Sequence, residues 1–290
     1  LEIDLPFPLS LRNFVPEIFH LTTDNRLLTI FLVYRYFIRL SYNGNGFCGW
    51  QIQPGVATIQ ETVNEKLSLL LHEKINCVGC GRTDSGVHAK KFYAHFDCER
   101  DDLDSNEQII FRLNKMLPPG IAIQDIRKMI SNAHARFAAF SRSYEYHIST
   151  VKDPFAQWMA WEHREILNVE AMNNGAKILM TYDDFKAFSK TSDSKTSICK
   201  MTNANWKEEG KGKWSEGKGE KLIFEISANR FLRNMVRAIV GTLLDVGRGK
   251  INEDELHRII KSGDRSEAGM SVPAHGLYLT EILYPAEYNL

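Results

Sequence analysis

The stretch Gly81-Arg82-Thr83-Asp84-Ser85-Gly86-Val87-His88-Ala89 sets a carboxylate between two glycines, with Arg82 shortly before it and His88 shortly after. Glycine permits the backbone conformations of a tight turn, so Asp84 is expected at the tip of a loop joining two extended segments, a common place to mount chemistry. An ionised aspartate there can attack an electrophilic carbon or remove a proton. By itself the pattern equally describes an Asx turn, whose carboxylate only caps its own backbone.

Other side chains could complete a site around such a carboxylate. In a dry cleft an aspartate tends to take up a proton, and a close arginine counters this by favouring the charged form. Arg237 suits that task, although a helix arginine is as readily a solvated side chain. Arg230, Arg233 and Arg237 would share one side of a helix and could form a stripe facing phosphates. Tyr144 and Tyr146 lie two apart and share one face of a predicted strand, either as sheet packing or as an aromatic platform for an unstacked base. His134, Arg136, Lys90, Lys91 and Arg142 add positive charge that would make a polyanion path only if one cleft gathers them. Trp50, in a glycine-flanked loop, reads as core or lid packing.

The elements that must position these residues follow from periodicity. Arg35 to Ser41 alternates as a strand, and Asn43-Gly44-Asn45-Gly46 turns the chain. Thr58-x-x-Glu61 is a capping box before Ile59, Val63, Leu67, Leu70 and Leu71, which recur at helical spacing. Lys74 to Cys80 and Phe92 to Cys98 read as strands flanking the aspartate loop, Gln108 to Met116 as a helix, and Ile121 to Ile126 as extended. The same rhythm then repeats: strand Ser143 to Thr150, helix Val169 to Met180, and strands near Lys200 to Trp206 and Leu222 to Ala228. A helix from Phe231 to about Val246, a helix near Glu253 to Lys261 and a strand Gly276 to Leu283 close the chain. Between two of these strands, Lys207 to Lys221 is a charged, glycine-rich stretch of the kind that forms a solvated hairpin loop.

The 290 residues suit one large domain or two ordinary ones, and 43% apolar with 25% charged residues is the mixture of a globular protein. Lys plus Arg (36) equals Asp plus Glu (36), so any nucleic-acid site must be a local patch rather than a global basic surplus. The odd number of cysteines, five, is widely spread and fits reduced thiols in a cytoplasm. The longest apolar run, Leu27 to Tyr34, is well short of the roughly 20 residues of a membrane helix. Cys77-x-x-Cys80 and His95-x-x-Cys98 have the ligand count of a zinc site, but residues three apart on a strand face opposite ways. Residues 1–34 hold three of the nine prolines and no clear period, and read as an extension.

GRTDSGVHA resembles the signature GRTDAGVHA of the TruA family of tRNA pseudouridine synthases, with Ser85 in place of alanine. The likeness continues, in family order, through Tyr42-Asn43-Gly44, Gly49-Trp50-Gln51-x-Gln53, His134-Ala135-Arg136-Phe137, Arg142-x-Tyr144-x-Tyr146, the stretch from Phe231 to Gly249, and Pro273-x-x-Gly276-Leu277-Tyr278-Leu279. It spans about Tyr36 to Tyr288. The resemblance implies that Asp84 is the catalytic aspartate, that Tyr144 stacks on the target uracil, that Arg237 pairs with the aspartate, and that Arg82 helps displace the target base. Arg136 and Arg142 are expected to join Tyr144 and Arg82 in binding the RNA.

It also implies an isomerase that forms pseudouridine at positions 38 to 40 of the tRNA anticodon stem-loop, needs neither metal nor organic cofactor, and works in the cytoplasm as a homodimer gripping one tRNA. The implied fold is α+β: two related halves, 35–133 with the aspartate loop and 134–290 completing the site, sharing a mainly antiparallel sheet with helices on one face and the RNA-binding cleft on the other. The competing reading is a non-catalytic RNA-binding protein of two RRM-like halves. An aspartyl-phosphate hydrolase fits poorly, because a D-x-D is absent at Asp84-Ser85-Gly86.

Overall fold

The computed structural model describes residues 32–190, 196–211 and 219–290. Strands β1 (Tyr34–Tyr42), β2 (Val78–Gly79), β3 (His88–Cys98) and β4 (Ile121–Met129) alternate with helices α1 (Ile59–Leu71) and α2 (Glu107–Met116). Strands β5 (Ser141–Ser149), β6 (Trp161–Glu162), β7 (Met201–Lys211), β8 (Gly219–Ala228) and β9 (Leu277–Leu283) follow, with helices α3 (Val169–Leu179), α4 (Met235–Gly247) and α5 (Glu253–Ser262) between them. The fold is α+β, as the alternation predicts.

All the described strands belong to one sheet in the order β4-β1-β3-β9-β5-β8-β7, with β2 added to β3 and β6 to β5. Among the described residues only β3–β9 and β5–β6 run parallel. The group β1 to β4 has the order β4-β1-β3-β2, and the second group has the matching order β9-β5-β8-β7. The rhythm seen twice in the sequence is therefore one strand arrangement used twice. Strand β3 gives one edge to β1 and divides the other: β2 pairs at His95 and Ala94, and β9 pairs at His88 and Ala89. The chain between β2 and β3, which carries Asp84, consequently lies at the seam between the two groups.

Local chemistry explains the helices. Thr58 caps α1 by accepting from the Glu61 amide (3.4 Å), and Ile59, Val63, Leu67, Leu70 and Leu71 form its buried stripe. Helix α5 starts with a reciprocal capping box between Asn252 and Glu255 and ends at Gly263 in the left-handed region. Helix α4 is buried nearly all round, so its apolar pairs every fourth residue are a core signature. Each fully buried Ile or Leu in it, such as Ile239 or Leu243, contributes about 1.5–3 kcal/mol.

Three expectations are corrected. The strand expected over Lys74 to Cys80 shrinks to Val78–Gly79, because α1 side chains take the preceding hydrogen bonds: Ser68 Oγ accepts from Ile75 N, Asn64 Oδ1 accepts from Cys77 N, and Gln60 Nε2 donates to Cys77 O. Helix α4 begins at Met235 rather than Phe231, since Asn234 sits at φ 67° and binds Ser271. Arg230 and Arg233 therefore precede the helix and form no stripe with Arg237. Strands β7 and β8 run into the charged stretch, pairing as far as Lys211 with Gly219; residues 212–218 of the expected loop, like residues 1–31 of the expected extension, lie outside the described residues.

The apolar interior forms two clusters, one holding the side chains of α1 and α2, the other those of α3, α4 and α5. Tyr144 packs against both.

Candidate active site

The turn at Asp84 is built by its neighbours. Gly86 takes φ 79°, and the Val87 amide donates to the Asp84 carbonyl (3.1 Å), closing the turn. Thr83 is buried with its hydroxyl 2.8 Å from that of Tyr42, and its carbonyl accepts from Trp50 N (3.2 Å). The loop from Tyr42 to Trp50 lies directly behind: a Cβ on Gly49, at φ 82°, would stand 2.3 Å from Thr83 O, and one on Gly44 would stand 2.2 Å from Val87 O. Only glycine allows these backbones so close. Trp50 itself is core, 2% exposed and packed at a tilt on Phe92 with ring centroids 4.2 Å apart.

His88 locks this loop to the far side of the site. Its Nδ1 accepts from Gly44 N (3.0 Å), which leaves the proton on Nε2 to donate to His275 O (3.0 Å). Burial lowers its pKa, so the ring is neutral at pH 7 and this tautomer persists. In the sequence His88 is marked only by its place in GVHA, which gives no sign of its bonds to Gly44 and His275.

Asp84 and Arg237 meet. Arg237 Nη1 lies 3.6 Å from Asp84 Oδ2, with the side chains 20% and 33% exposed, so both are reachable from solvent. Nε of Arg237 donates to Val272 O (2.7 Å), which holds the guanidinium from behind. Tyr144 is half-buried, and burial pushes its phenol pKa well up, with the charges of Cys80 and then Asp84 adding to the rise. Its ring meets Phe231 edge-on at 5.1 Å, and a bulge against β9 falls between Ser143 and Tyr144, where such irregularities re-aim a side chain.

The remaining predicted residues lie in a different relation. Arg82 is exposed next to this turn and makes no hydrogen bond or ion pair among the described residues. Arg136 is exposed on the His134–Phe137 turn, its guanidinium over the Phe137 ring at 5.8 Å. Arg142 is engaged with the backbone: Nη1 donates to Ala139 O and Asn229 O, and Nη2 to Arg136 O (2.7 Å) and Cys80 O (3.4 Å). It thereby ties the Arg136 turn to the start of the Asp84 loop. Lys90 pairs with Glu145 at 2.6 Å, and His147 binds the same carboxylate, holding its pKa down to about 2. Cys80 and Cys98 are buried, and burial pushes each thiol up to about 12.

The structure thus sets a carboxylate turn at the seam of two strand groups of matching order, with Arg237 against it. A sequence model described as tRNA pseudouridine synthase matches residues 176–285. The tRNA pseudouridine synthase A of Parabacteroides distasonis is 46% identical over 257 residues, covering 87% of this chain and 97% of the relative. That of Bacteroides fragilis is 44% identical over 88% of this chain and 98% of its own. At greater distance, the protein of that name from Thermoanaerobacter sp. is 37% identical over 85% of this chain and 98% of its own. The chain belongs to the tRNA pseudouridine synthase A family.

Proposed function

We propose that this protein isomerises uridine to pseudouridine at positions 38 to 40 of the tRNA anticodon stem-loop, with Asp84 as its catalytic carboxylate. Family membership makes it an isomerase acting on tRNA uridine. The reaction breaks the bond from ribose C1′ to uracil N1, turns the base, and forms the bond from C1′ to C5. The C5 proton leaves and N1 gains one, so atoms balance without water or redox chemistry. Asp84 acts at the ribose, either as nucleophile on C1′ or as base at C2′ with a glycal intermediate.

The observation that carries this reading is the Asp84–Arg237 pair on the signature turn. Arg237 orients the carboxylate, Tyr144 offers its ring to the uracil, and Arg82, Arg136 and Arg142 bind the RNA, Arg142 also holding the two turns together. Residues 35–133 form the half that carries the aspartate and residues 134–290 the half that completes the site, with residues 1–34 as an extension. The protein acts in the cytoplasm as a homodimer, which light scattering at micromolar concentration tests. No described helix is long and apolar enough to cross a membrane. Mapping pseudouridine in tRNA from cells with and without the gene tests the assignment; positions 38 to 40 unchanged on deletion would refute it.

A further inference from the structure

Arg237 is fastened to residues 269–272 by both its backbone and its side chain. The Val272 amide donates to Arg237 O (3.2 Å), and Arg237 Nε returns a bond to Val272 O (2.7 Å). The rest of this segment lies flat on α4. A Cβ on Gly241 would stand 1.8 Å from Met270 O, and one on Gly269 would stand 2.6 Å from Thr242 N. Two backbones thus touch where only glycine fits, one glycine on each side. The contact is secured by Gly269 N donating to Thr242 Oγ1 (2.8 Å) and by that hydroxyl donating to Ala238 O (2.9 Å).

Ser271 completes the fastening. Its hydroxyl receives Asn234 Nδ2 (2.5 Å) and Arg265 Nη2 (2.8 Å), while Arg265 Nη1 holds the carbonyls of Ala268 and Gly269. Asn234 adopts φ 67° at the head of α4. Beyond Val272 the chain continues to Pro273, whose carbonyl accepts from Tyr146 Oη, and to Ala274, against which a Cβ on Gly86 would rest at 3.5 Å. The segment therefore runs from α4 to the turn that carries Asp84.

We propose that residues 269–272 act as a strap that positions the Arg237 guanidinium against Asp84, which makes Gly241, Gly269 and Ser271 positioning residues for the isomerisation. The inference rests on the reading that Asp84 and Arg237 serve the reaction. A β-carbon at Gly241 or Gly269 lifts the strap, removes Val272 O from behind Nε, and leaves Nη1 without a fixed place. Ser271→Ala loosens the strap with no steric insult.

The test is a double-mutant cycle on single-turnover pseudouridine formation in a tRNA transcript, with tRNA affinity measured alongside. Gly269→Ala and Ser271→Ala are expected to slow the chemical step, Gly269→Ala by about tenfold or more, because small misplacements of a positioned group carry large rate costs. Affinity for tRNA should stay within about threefold, since it is spread over many phosphate contacts. In an Arg237→Leu background the same substitutions should change the rate by less than about twofold, as residues acting through one group are non-additive. Equal slowing in both backgrounds, or none in wild type, overturns the proposal. Should Gly269→Ala fail to fold, Ser271→Ala carries the cycle. The Arg237 Nε–H resonance, slow to exchange in wild type and fast in Ser271→Ala, reads the strap independently of product. Absence of product from the wild type would count against the functional reading, whereas an unchanged resonance in Ser271→Ala would count against the strap.

Discussion

Arg237 stands with Nη1 3.6 Å from Oδ2 of Asp84 while its Nε is bonded to the carbonyl of Val272, so one guanidinium spans a fixed backbone point and the carboxylate. Both side chains of the pair are partly exposed, and such a pair is worth only about 0–1 kcal/mol to stability. Its value lies in geometry.

Arg237→Lys is therefore expected to fail as a conservative change. A lysine has a single charged nitrogen and cannot reach Val272 O and Asp84 from two points of a planar fork. Single-turnover rates should fall by about tenfold or more with the melting temperature little changed. A lysine variant at the wild-type rate would show that charge alone suffices.

Tyr144 separates ring from hydroxyl. Its Oη makes no hydrogen bond among the described residues, while its ring packs between the two cores. Tyr144→Phe should keep the rate within about threefold, and Tyr144→Leu should lose about tenfold or more, in line with a stacking contribution of ~1–3 kcal/mol. A Phe variant as slow as the Leu variant would assign the hydroxyl a part in proton transfer.

Stability should fall on mild acidification. His95 is buried, accepts from Ala135 N through Nδ1, and has its pKa lowered to about 4, by burial first and then by the charge of Arg35. Below the ordinary value of 6.5 the unfolded chain binds a proton that the folded ring refuses. Stability is thus complete above that value and declines as pH falls from about 6.5 to about 4, by about 1–3 kcal/mol. Burial lowers His88, His163 and His275 as well, adding to the same slope. Urea denaturation at pH 7.5 and pH 5 measures it, and His95→Gln should flatten the difference; an unchanged slope in that variant would remove His95 as its source.

Arg142→Ala should destabilise more than a surface arginine does. Four carbonyls, those of Cys80, Arg136, Ala139 and Asn229, would lose a charged donor at the joint between the Asp84 loop and the Arg136 turn. A loss of about 2–4 kcal/mol in urea denaturation is expected, and less than ~0.5 kcal/mol would show that solvent replaces these bonds.

What the sequence made legible was mostly local. The cap at Thr58, the stripe on α1 and the existence of β1 and β3 depend on neighbours in the chain, and the structure keeps them, although Phe37, Tyr93 and His95 show that these central strands are buried on both faces. The glycine-flanked Asp84 turn was legible in the same way. What escaped depends on distant partners. The shortening of β2 follows from Ser68, Asn64 and Gln60 on α1, and the late start of α4 follows from Asn234 reaching Ser271. Arg142 read as local positive charge because two of its carbonyl partners, those of Cys80 and Asn229, lie far away along the chain. The close approach of Gly241 to Met270 had no sequence signal beyond a glycine in the middle of a helix.

The central claim, that Asp84 carries chemistry rather than binding, is tested most directly by Asp84→Asn. The substitution keeps the size of the side chain and removes its charge. Single-turnover assays on a tRNA transcript should show pseudouridine formation reduced by about a thousandfold or more, with tRNA affinity within about tenfold, roughly 1.4 kcal/mol. An Asp84→Asn protein that forms pseudouridine at a near-normal rate would contradict the account.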